Sequence, residues 1–85
     1  MKEIKYVITD ELGIHARPAG QLVKAATAFH CDVKVSANGN TVDAKRIMGV
    51  MRLAAKQGQE ITITCDGEDE DIAVAALDSF LKENL

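Results

Sequence analysis

The residues with the clearest chemical potential lie in one short segment, residues 13–19, where His15 is followed by Arg17 and Pro18. Proline is tolerated in the first turn of a helix, so the segment predicts a helix that begins at or just after His15. A helix N-terminus carries unpaired N–H groups and about half a positive charge, which together bind anions. Arg17 adds a planar guanidinium that suits phosphate oxygens. The segment therefore predicts a phosphoryl acceptor, because a neutral imidazole has one nitrogen free to attack phosphorus.

In this interpretation His15 is the nucleophile, and the backbone amides of Ala16 and Arg17 and the Arg17 side chain hold the phosphoryl oxygens. A plainer interpretation is that His15 only caps a helix and that Arg17 is a solvated surface residue. Single histidines near helix starts are common, so the local chemistry alone favours the plainer interpretation. His30, in a loop or at a strand edge, indicates no second site.

A second informative stretch, residues 45–53, is rich in methionine and arginine. Its apolar positions cover more than one stripe of a short helix, which we predict over residues 46–53. If Val50, Leu53 and Ala54 face the core, other positions are left toward solvent. These positions are Ile47, Met48 and Met51, and Arg46 and Arg52 flank them as further candidate partner-binding residues. Exposed methionines flanked by arginines form adaptable docking surfaces, although a helix buried on all sides is the alternative.

The net charge of −3 is unevenly distributed along the chain. Residues 15–56 contain seven basic and two acidic side chains, whereas the remaining segments contain three lysines and eleven acids. A modest basic face on an acidic protein suits attraction to an acidic protein partner. Nucleic-acid binding would require more positive charge and more stacking aromatic residues than the three present, so we expect no nucleic-acid partner.

The chain of 85 residues, 47% of them hydrophobic, predicts one small domain over residues 1–85. No apolar run approaches the ~20 residues of a membrane span, and no secretory signal is evident, so we expect a cytoplasmic protein. Cys31 and Cys65 lie on the apolar phase of their segments, which indicates buried reduced thiols. No spacing is typical of a metal site and no motif is typical of a cofactor site, so we expect neither metal nor cofactor.

Hydrophobic periodicity predicts the elements that must position these residues. Alternation indicates strands over residues 2–8, 31–36, 41–43 and 60–65, and Asn38-Gly39 is typical of a hairpin turn. Helical spacing indicates helices over residues 16–28 and 46–53, and a last helix with one apolar stripe. That stripe consists of Ala73, Ala76, Leu77, Phe80 and Leu81. The order β-α-β-β-α-β-α predicts an α+β open-faced sandwich, a four-stranded antiparallel sheet with three helices on one face.

With these elements in place, the sequence resembles the HPr family, the histidine-containing phosphocarriers of the bacterial sugar phosphotransferase system. The resemblance rests on GIHARPA at residues 13–19, on the Asn38-Gly39 turn and on AKRIMGVMRLAAKQG at residues 44–58. It extends over essentially the whole chain in length, element order and spacing. Chance agreement of both segments at the right distance is improbable, so the resemblance overrides the plainer interpretation of His15.

The resemblance implies a covalent carrier that is not itself a catalyst. HPr proteins accept a phosphoryl group from phosphorylated enzyme I, hold it on Nδ1 of the histidine that matches His15, and pass it to the IIA unit of a sugar permease. The family's arginine matches Arg17. Its partner surface maps onto Gly20, Gln21, Lys24, Ile47, Met48 and Met51. We expect a monomer with enzyme I and IIA proteins as partners, and without insertion into membranes.

One position departs from part of the family. Many HPr proteins of Gram-positive bacteria have a regulatory serine at the start of the second helix, where this chain has Arg46. Arginine cannot be phosphorylated in its place, so we expect a kinase specific for that serine to leave the chain unmodified. Two alternatives stay open: a regulatory HPr-like protein whose phosphorylation state is read by a transcription factor or metabolic enzyme, and an unrelated sandwich that binds a small ligand or RNA.

Overall fold

The computed structural model describes residues 1–85 and confirms the element order β-α-β-β-α-β-α. The strands are β1 (Lys2–Val7), β2 (Asp32–Ala37), β3 (Asn40–Asp43) and β4 (Glu60–Asp66). The helices are α1 (Ala16–Thr27), α2 (Ile47–Arg52) and α3 (Glu70–Asn84). None of the three helices is both long and apolar enough to cross a membrane.

The four strands form one antiparallel sheet in the order β1-β4-β2-β3, as the predicted open-faced sandwich requires. Ile63 of β4 lies between Ile4 of β1 and Val35 of β2, so apolar side chains from three strands share one row. The adjacent row places Thr62 between Lys5 and Ser36. Because neighbouring residues of a strand point to opposite faces, one face of the sheet is apolar and the other is polar.

The apolar face and the helices enclose a core of twenty buried apolar residues, with no buried polar or charged side chain among them. Helix α3 contributes Ala73, Leu77 and Leu81, which are spaced by four residues and therefore lie on one side of the helix. The predicted stripe on α3 was too wide, because Ala76 is exposed and Phe80 is only half-buried. Both residues lie at the edge of the buried stripe, where Ala76 turns toward solvent and Phe80 still packs against the core.

The structure corrects the predicted ends of α2. The helix extends from Ile47 to Arg52, with Arg46 as the extended residue before it and Leu53 as the residue after it. The prediction that Ala54 faces the core was wrong, because Ala54 is exposed and has a left-handed backbone with φ of 50°. This turn of the chain brings Ala55 into the core instead.

Both cysteines are buried and unpaired, as their sequence pattern predicted. Cys65 lies opposite Val33, so that Cys31 is its diagonal neighbour across β2 and β4, and the two thiols are close enough to interact. Burial, and then the neighbouring Asp69 carboxylate, raises the pKa of the Cys31 thiol to about 12. Burial also raises the pKa of the Cys65 thiol. Both groups are therefore uncharged at neutral pH.

Candidate functional site

His15 is the residue immediately before α1, with an extended backbone at φ of −105° and ψ of −175°. Its carbonyl oxygen accepts the first hydrogen bond of the helix, from Ala19 N at 3.0 Å, while its side chain forms no capping bond. The imidazole is half-buried, and the first turn of α1 contains no acidic residue. The positive end of this helix is therefore not neutralised by its own side chains, and the ring of His15 has no competing role as a cap.

The chain that leads to His15 is held against the loop after α2. Ile14 is buried and donates its backbone N–H to the carbonyl oxygen of Ala55 at 3.0 Å. Gly13 has φ of 65°, and a Cβ at this position would lie 2.3 Å from the same oxygen. A side chain at residue 13 would therefore push the two segments apart, so Gly13 is required for the position of His15.

The His15 side chain opens into a cleft of about 290 Å³ with no apolar side chain other than proline in its lining. The cleft is lined by Asp10, His15, Arg17, Pro18, Gln21, Glu83 and Asn84. The structure thus brings together three of the residues singled out from the sequence, His15, Arg17 and Gln21. Such a polar cleft at a helix N-terminus can hold a tetrahedral anion beside the imidazole.

Two carboxylates in this cleft, Asp10 and Glu83, were missed from the sequence. They come from the loop after β1 and from the last turn of α3, so no local spacing relates them to His15. Arg17 is the only permanent cation in the lining, it is exposed, and it forms no ion pair within the chain. Its guanidinium is consequently the one cationic side chain that can offset the negative charge of these carboxylates when an anion enters.

Beside the cleft, α1 and α2 meet at a small apolar surface. A Cβ on Gly20 of α1 would lie 3.6 Å from Cδ1 of Ile47, which places Ile47 against α1. Ile47, Met48 and Met51, which we call the methionine patch, are 41%, 64% and 39% exposed. Val50 and Leu53 are buried on the other side. The predicted orientation of α2 is confirmed for these five residues, and partner binding by the methionine patch stays a prediction.

The basic residues near the methionine patch are largely free of intramolecular partners. Lys24 in the last turn of α1 and Arg52 in the last turn of α2 are exposed and form no ion pair. Arg46 is exposed, and its Nε lies 4.0 Å from Oδ2 of Asp43, which is too long for a strong pair. Lys45 instead donates its ammonium group to the carbonyl oxygen of Phe29 at 2.8 Å. Three cations therefore remain available to an external partner.

The chain matches a family model described as the HPr component phosphorylation site of the phosphotransferase system, over residues 2–83. It is 47% identical over 83 residues to the phosphocarrier protein HPr of Lysinibacillus sphaericus, which covers 98% of this chain and 94% of that protein. The structure of the histidine-containing phosphocarrier protein of Mycoplasma superposes with a TM-score of 0.93 at 40% identity, covering 96% and 93% of the two chains. Crh, a catabolite repression protein of Bacillus subtilis seen as a dimer with a swapped domain, superposes with a TM-score of 0.77 at 38% identity, covering 100% and 98%.

Proposed function

The chain belongs to the HPr family of the phosphotransferase system and is a phosphocarrier, and we propose that His15 is the residue that carries its phosphoryl group. One observation carries this assignment. The imidazole of His15 forms no capping bond and opens into a polar cleft at the N-terminus of α1, whose first turn contains no acidic residue, beside the unpaired guanidinium of Arg17. Phosphorylated enzyme I is the proposed donor, and the IIA unit of a sugar permease is the proposed acceptor.

In the transfer step, Nδ1 of His15 attacks phosphorus while Nε2 carries the ring proton. A bond forms between Nδ1 and phosphorus, and the bond between phosphorus and the donor atom breaks, with its electron pair returning to the donor. Passage to the acceptor repeats the same exchange in the other direction. The carrier is not an independent catalyst in this proposal, because it supplies positioning and charge stabilisation between two enzymes.

The phosphoryl oxygens on His15 face three groups of donors. The backbone amides of Ala16 and Arg17 belong to the first turn of α1, where N–H groups have no partner within the helix. The guanidinium of Arg17 adds a fork of N–H donors with a permanent positive charge. Because these groups are in place before transfer, they stabilise the charge that develops on the phosphoryl group with little rearrangement.

Partner binding is proposed for the surface formed by α1 and α2 next to the cleft. Gly20, Gln21 and Lys24 supply the part on α1, and Arg46, Ile47, Met48, Met51 and Arg52 supply the part on α2. The methionine patch provides an adaptable apolar centre, and the unpaired cations around it complement acidic surfaces on enzyme I and IIA proteins. We propose that the carrier acts as a monomer in the cytoplasm. Size-exclusion chromatography at assay concentration tests this against a swapped dimer of the kind that Crh forms.

The assignment is tested by mixing the pure protein with enzyme I, magnesium and phosphoenolpyruvate and recording its intact mass. We expect a gain of one phosphoryl group that is labile to acid. His15→Ala should abolish this gain, whereas His30→Ala should retain it, because His30 is the only other histidine and is exposed away from the cleft. A His15→Ala protein that still takes up the group would contradict the assignment.

A second candidate role is regulatory, since Crh, a catabolite repression protein, has a similar fold at 38% identity. In that role, the phosphorylation state of His15 is read by a transcription factor or a metabolic enzyme. Adding an IIA protein to the labelled carrier separates the two roles. Loss of the phosphoryl group to the IIA protein supports the relay, and retention of the group supports the regulator.

A further inference from the structure

Asp10 lies in the loop that leads from β1 to His15, and its side chain lines the same cleft as the imidazole. Asp10 is half-buried, whereas Glu83, the other carboxylate of the cleft, is exposed. Neither carboxylate has a part in the proposed transfer, which uses His15, Arg17 and the first amides of α1. A negative charge at this place repels a bound phosphoryl group, so it makes the phosphorylated form less stable relative to the free form.

Three hydrogen bonds hold Asp10 in place. Its carboxylate Oδ1 accepts the backbone N–H of Leu12 at 2.8 Å, and its carbonyl oxygen accepts that of Gly13 at 3.0 Å. Asp10 also donates its own backbone N–H to the carbonyl oxygen of Leu85 at 2.9 Å. The chain turns back between Asp10 and Gly13, so the carboxylate is held beside the segment that leads to His15. Its charge is therefore fixed at the cleft before a phosphoryl group enters.

The size of the cleft determines how strongly this charge acts on a bound group. A sphere of the same volume, about 290 Å³, is about 8 Å across, and the screening length at physiological ionic strength is also about 8 Å. Charges on the lining therefore act on a phosphoryl group in the cleft with incomplete screening. At this separation two unit charges change an equilibrium constant about twofold in bulk water, and by more beside a protein, where the effective dielectric constant is lower.

We propose that the Asp10 carboxylate raises the phosphoryl-transfer potential of phosphorylated His15, so that the carrier releases the group more readily. This inference rests on the proposed function of His15. The start of α1 and the Arg17 guanidinium attract the bound group, and Asp10 limits that attraction by repulsion. A carrier has to release the group as well as accept it, and a cleft lined only by donors would retain it. Asp10 acts through space on the phosphoryl group and is not a catalytic residue.

The experiment measures how a limiting supply of phosphoryl groups divides between two carriers at equilibrium. Equimolar isotope-labelled wild type and unlabelled variant share a substoichiometric amount of phosphoenolpyruvate through a catalytic amount of enzyme I, and intact masses give each phosphorylated fraction. In each exchange the bond between phosphorus and Nδ1 of one carrier breaks and the same bond forms in the other. The ratio at equilibrium therefore reports the stability of the phosphorylated carrier and is independent of how tightly either carrier docks on enzyme I.

The variants separate the charge of Asp10 from its hydrogen bond. Asp10→Asn and Asp10→Ser remove the charge and keep an oxygen that accepts the N–H of Leu12. Asp10→Glu keeps the charge. Glu11→Gln is the matched control, because Glu11 is the next residue in the chain, is exposed and is absent from the lining of the cleft. It changes the net charge by the same amount as Asp10→Asn.

We expect Asp10→Asn and Asp10→Ser to hold about threefold to tenfold more of the phosphoryl group than the wild type at low salt. The ratio should fall below about twofold at about 1 M salt, where the screening length is about 3 Å. Asp10→Glu and Glu11→Gln should stay within about twofold of the wild type. Thermal unfolding of each variant checks that the fold is intact.

Equal division between the wild type and both uncharged variants overturns the proposal. It is overturned equally by a shift of the same size in Glu11→Gln, or by a shift that about 1 M salt leaves unchanged, because neither result fits a charge acting locally in the cleft. If the wild type itself gains no phosphoryl group, the assignment of His15 fails. Normal labelling with equal division overturns only the role of Asp10.

Discussion

Helices α1 and α3 begin with opposite electrostatic environments. The first turn of α3 contains Glu70 and Asp71, whereas that of α1 contains no acidic residue. Glu70 accepts the backbone N–H of Gly67 at 3.2 Å and pairs with the amino group of Met1 at 2.9 Å. Both helices have the same macrodipole, but only α3 neutralises its positive end with its own side chains. The acidic side chains at the start of α3 stabilise the fold, whereas the first turn of α1 has no acidic side chain to compete with an external anion.

The contrast extends to the surfaces around the two helix starts. Four of the five ion pairs involve α3 or the end of β4 before it: three join this region to Met1 and Lys2, and the fourth lies within α3, between Asp78 and Lys82. The fifth pair is the 4.0 Å contact of Arg46 with Asp43. The charged and hydrogen-bonding groups at the start of α3 therefore have partners within the molecule. The cations of the α1 and α2 side remain available for a partner.

The strongest test of this contrast is Arg17→Ala. We expect transfer from enzyme I to fall about 100-fold, because a preorganised charge on the phosphoryl group is lost. The midpoint of thermal unfolding should not change, since Arg17 is exposed and forms no ion pair. Lys56→Ala, another exposed cation without an ion pair, should leave both quantities unchanged. A large fall in the unfolding temperature of Arg17→Ala would show that Arg17 stabilises the fold, and would contradict the difference proposed between the starts of α1 and α3.

At the start of α3, Asp69→Asn should lower the stability of the protein without changing phosphoryl transfer, the opposite of Arg17→Ala. Its carboxylate accepts the backbone N–H groups of His30 at 2.7 Å and of Cys31 at 2.9 Å, and so ties the loop after α1 to α3. We expect the unfolding temperature to fall by about 5 °C, with phosphoryl transfer unchanged. Asp78→Asn, which breaks only an exposed pair with Lys82, should have a smaller effect.

The hydrogen bonds to the Asp69 carboxylate also predict that the free energy of unfolding depends on pH. The hydrogen bond from His30, followed by those from the Cys31 side chain and backbone, lowers the pKa of Asp69 below its usual range. Its contribution to stability is therefore complete above the usual carboxyl pKa of about 4 and is lost as pH falls through the lowered value. Unfolding of wild type and Asp69→Asn between neutral and acidic pH should show a difference that shrinks in acid. A difference in stability between the two proteins that stays constant with pH would contradict a stabilising role for the ionised Asp69 carboxylate.

In the loop after α2, Ala54→Gly tests whether a left-handed backbone position lowers the stability of the protein. Ala54 is the only residue outside the Asn38-Gly39 turn, other than glycine, with positive φ. Left-handed backbone costs an L-residue roughly 1–2 kcal/mol, part of which is offset by the greater freedom of glycine in the unfolded chain. We expect the free energy of unfolding to rise by about 1 kcal/mol. Ala28→Gly, at a right-handed position after α1, should lower it instead.

The smallest effect is expected for Arg46→Ser. Removing this exposed charge from the proposed docking surface should raise KM for enzyme I about twofold to threefold at low salt, because electrostatic attraction to an acidic partner is reduced. The difference should disappear at high salt, where exposed charges are screened. Equal transfer rates and equal salt dependence in the two proteins would remove Arg46 from the partner surface.

The sequence predicted the features that depend on local spacing. Alternation placed the four strands, and the short turn at Asn38-Gly39 has the positive φ that this dipeptide favours. Pro18 after His15 placed the start of α1 correctly to the residue. The prediction failed for Ala54, because α2 ends before it and its backbone is left-handed, and for Ala76, where the helical stripe did not show which edge of α3 turns outward. The angle at which a helix packs on the sheet decides that orientation, and it involves residues far along the chain.

By itself, therefore, the sequence determined that a histidine with a nearby arginine stands at the mouth of a helix, because helix signals act over a few residues. Only the tertiary structure decided what surrounds that histidine. Asp10 and Glu83 reach the cleft because the end of α3 packs beside the loop after β1, where Thr9 and Asp10 donate backbone N–H groups to Leu85. Gly13 is required because the loop after α2 lies against it. Contacts between distant segments arise from packing of the whole core, and no local pattern encodes them.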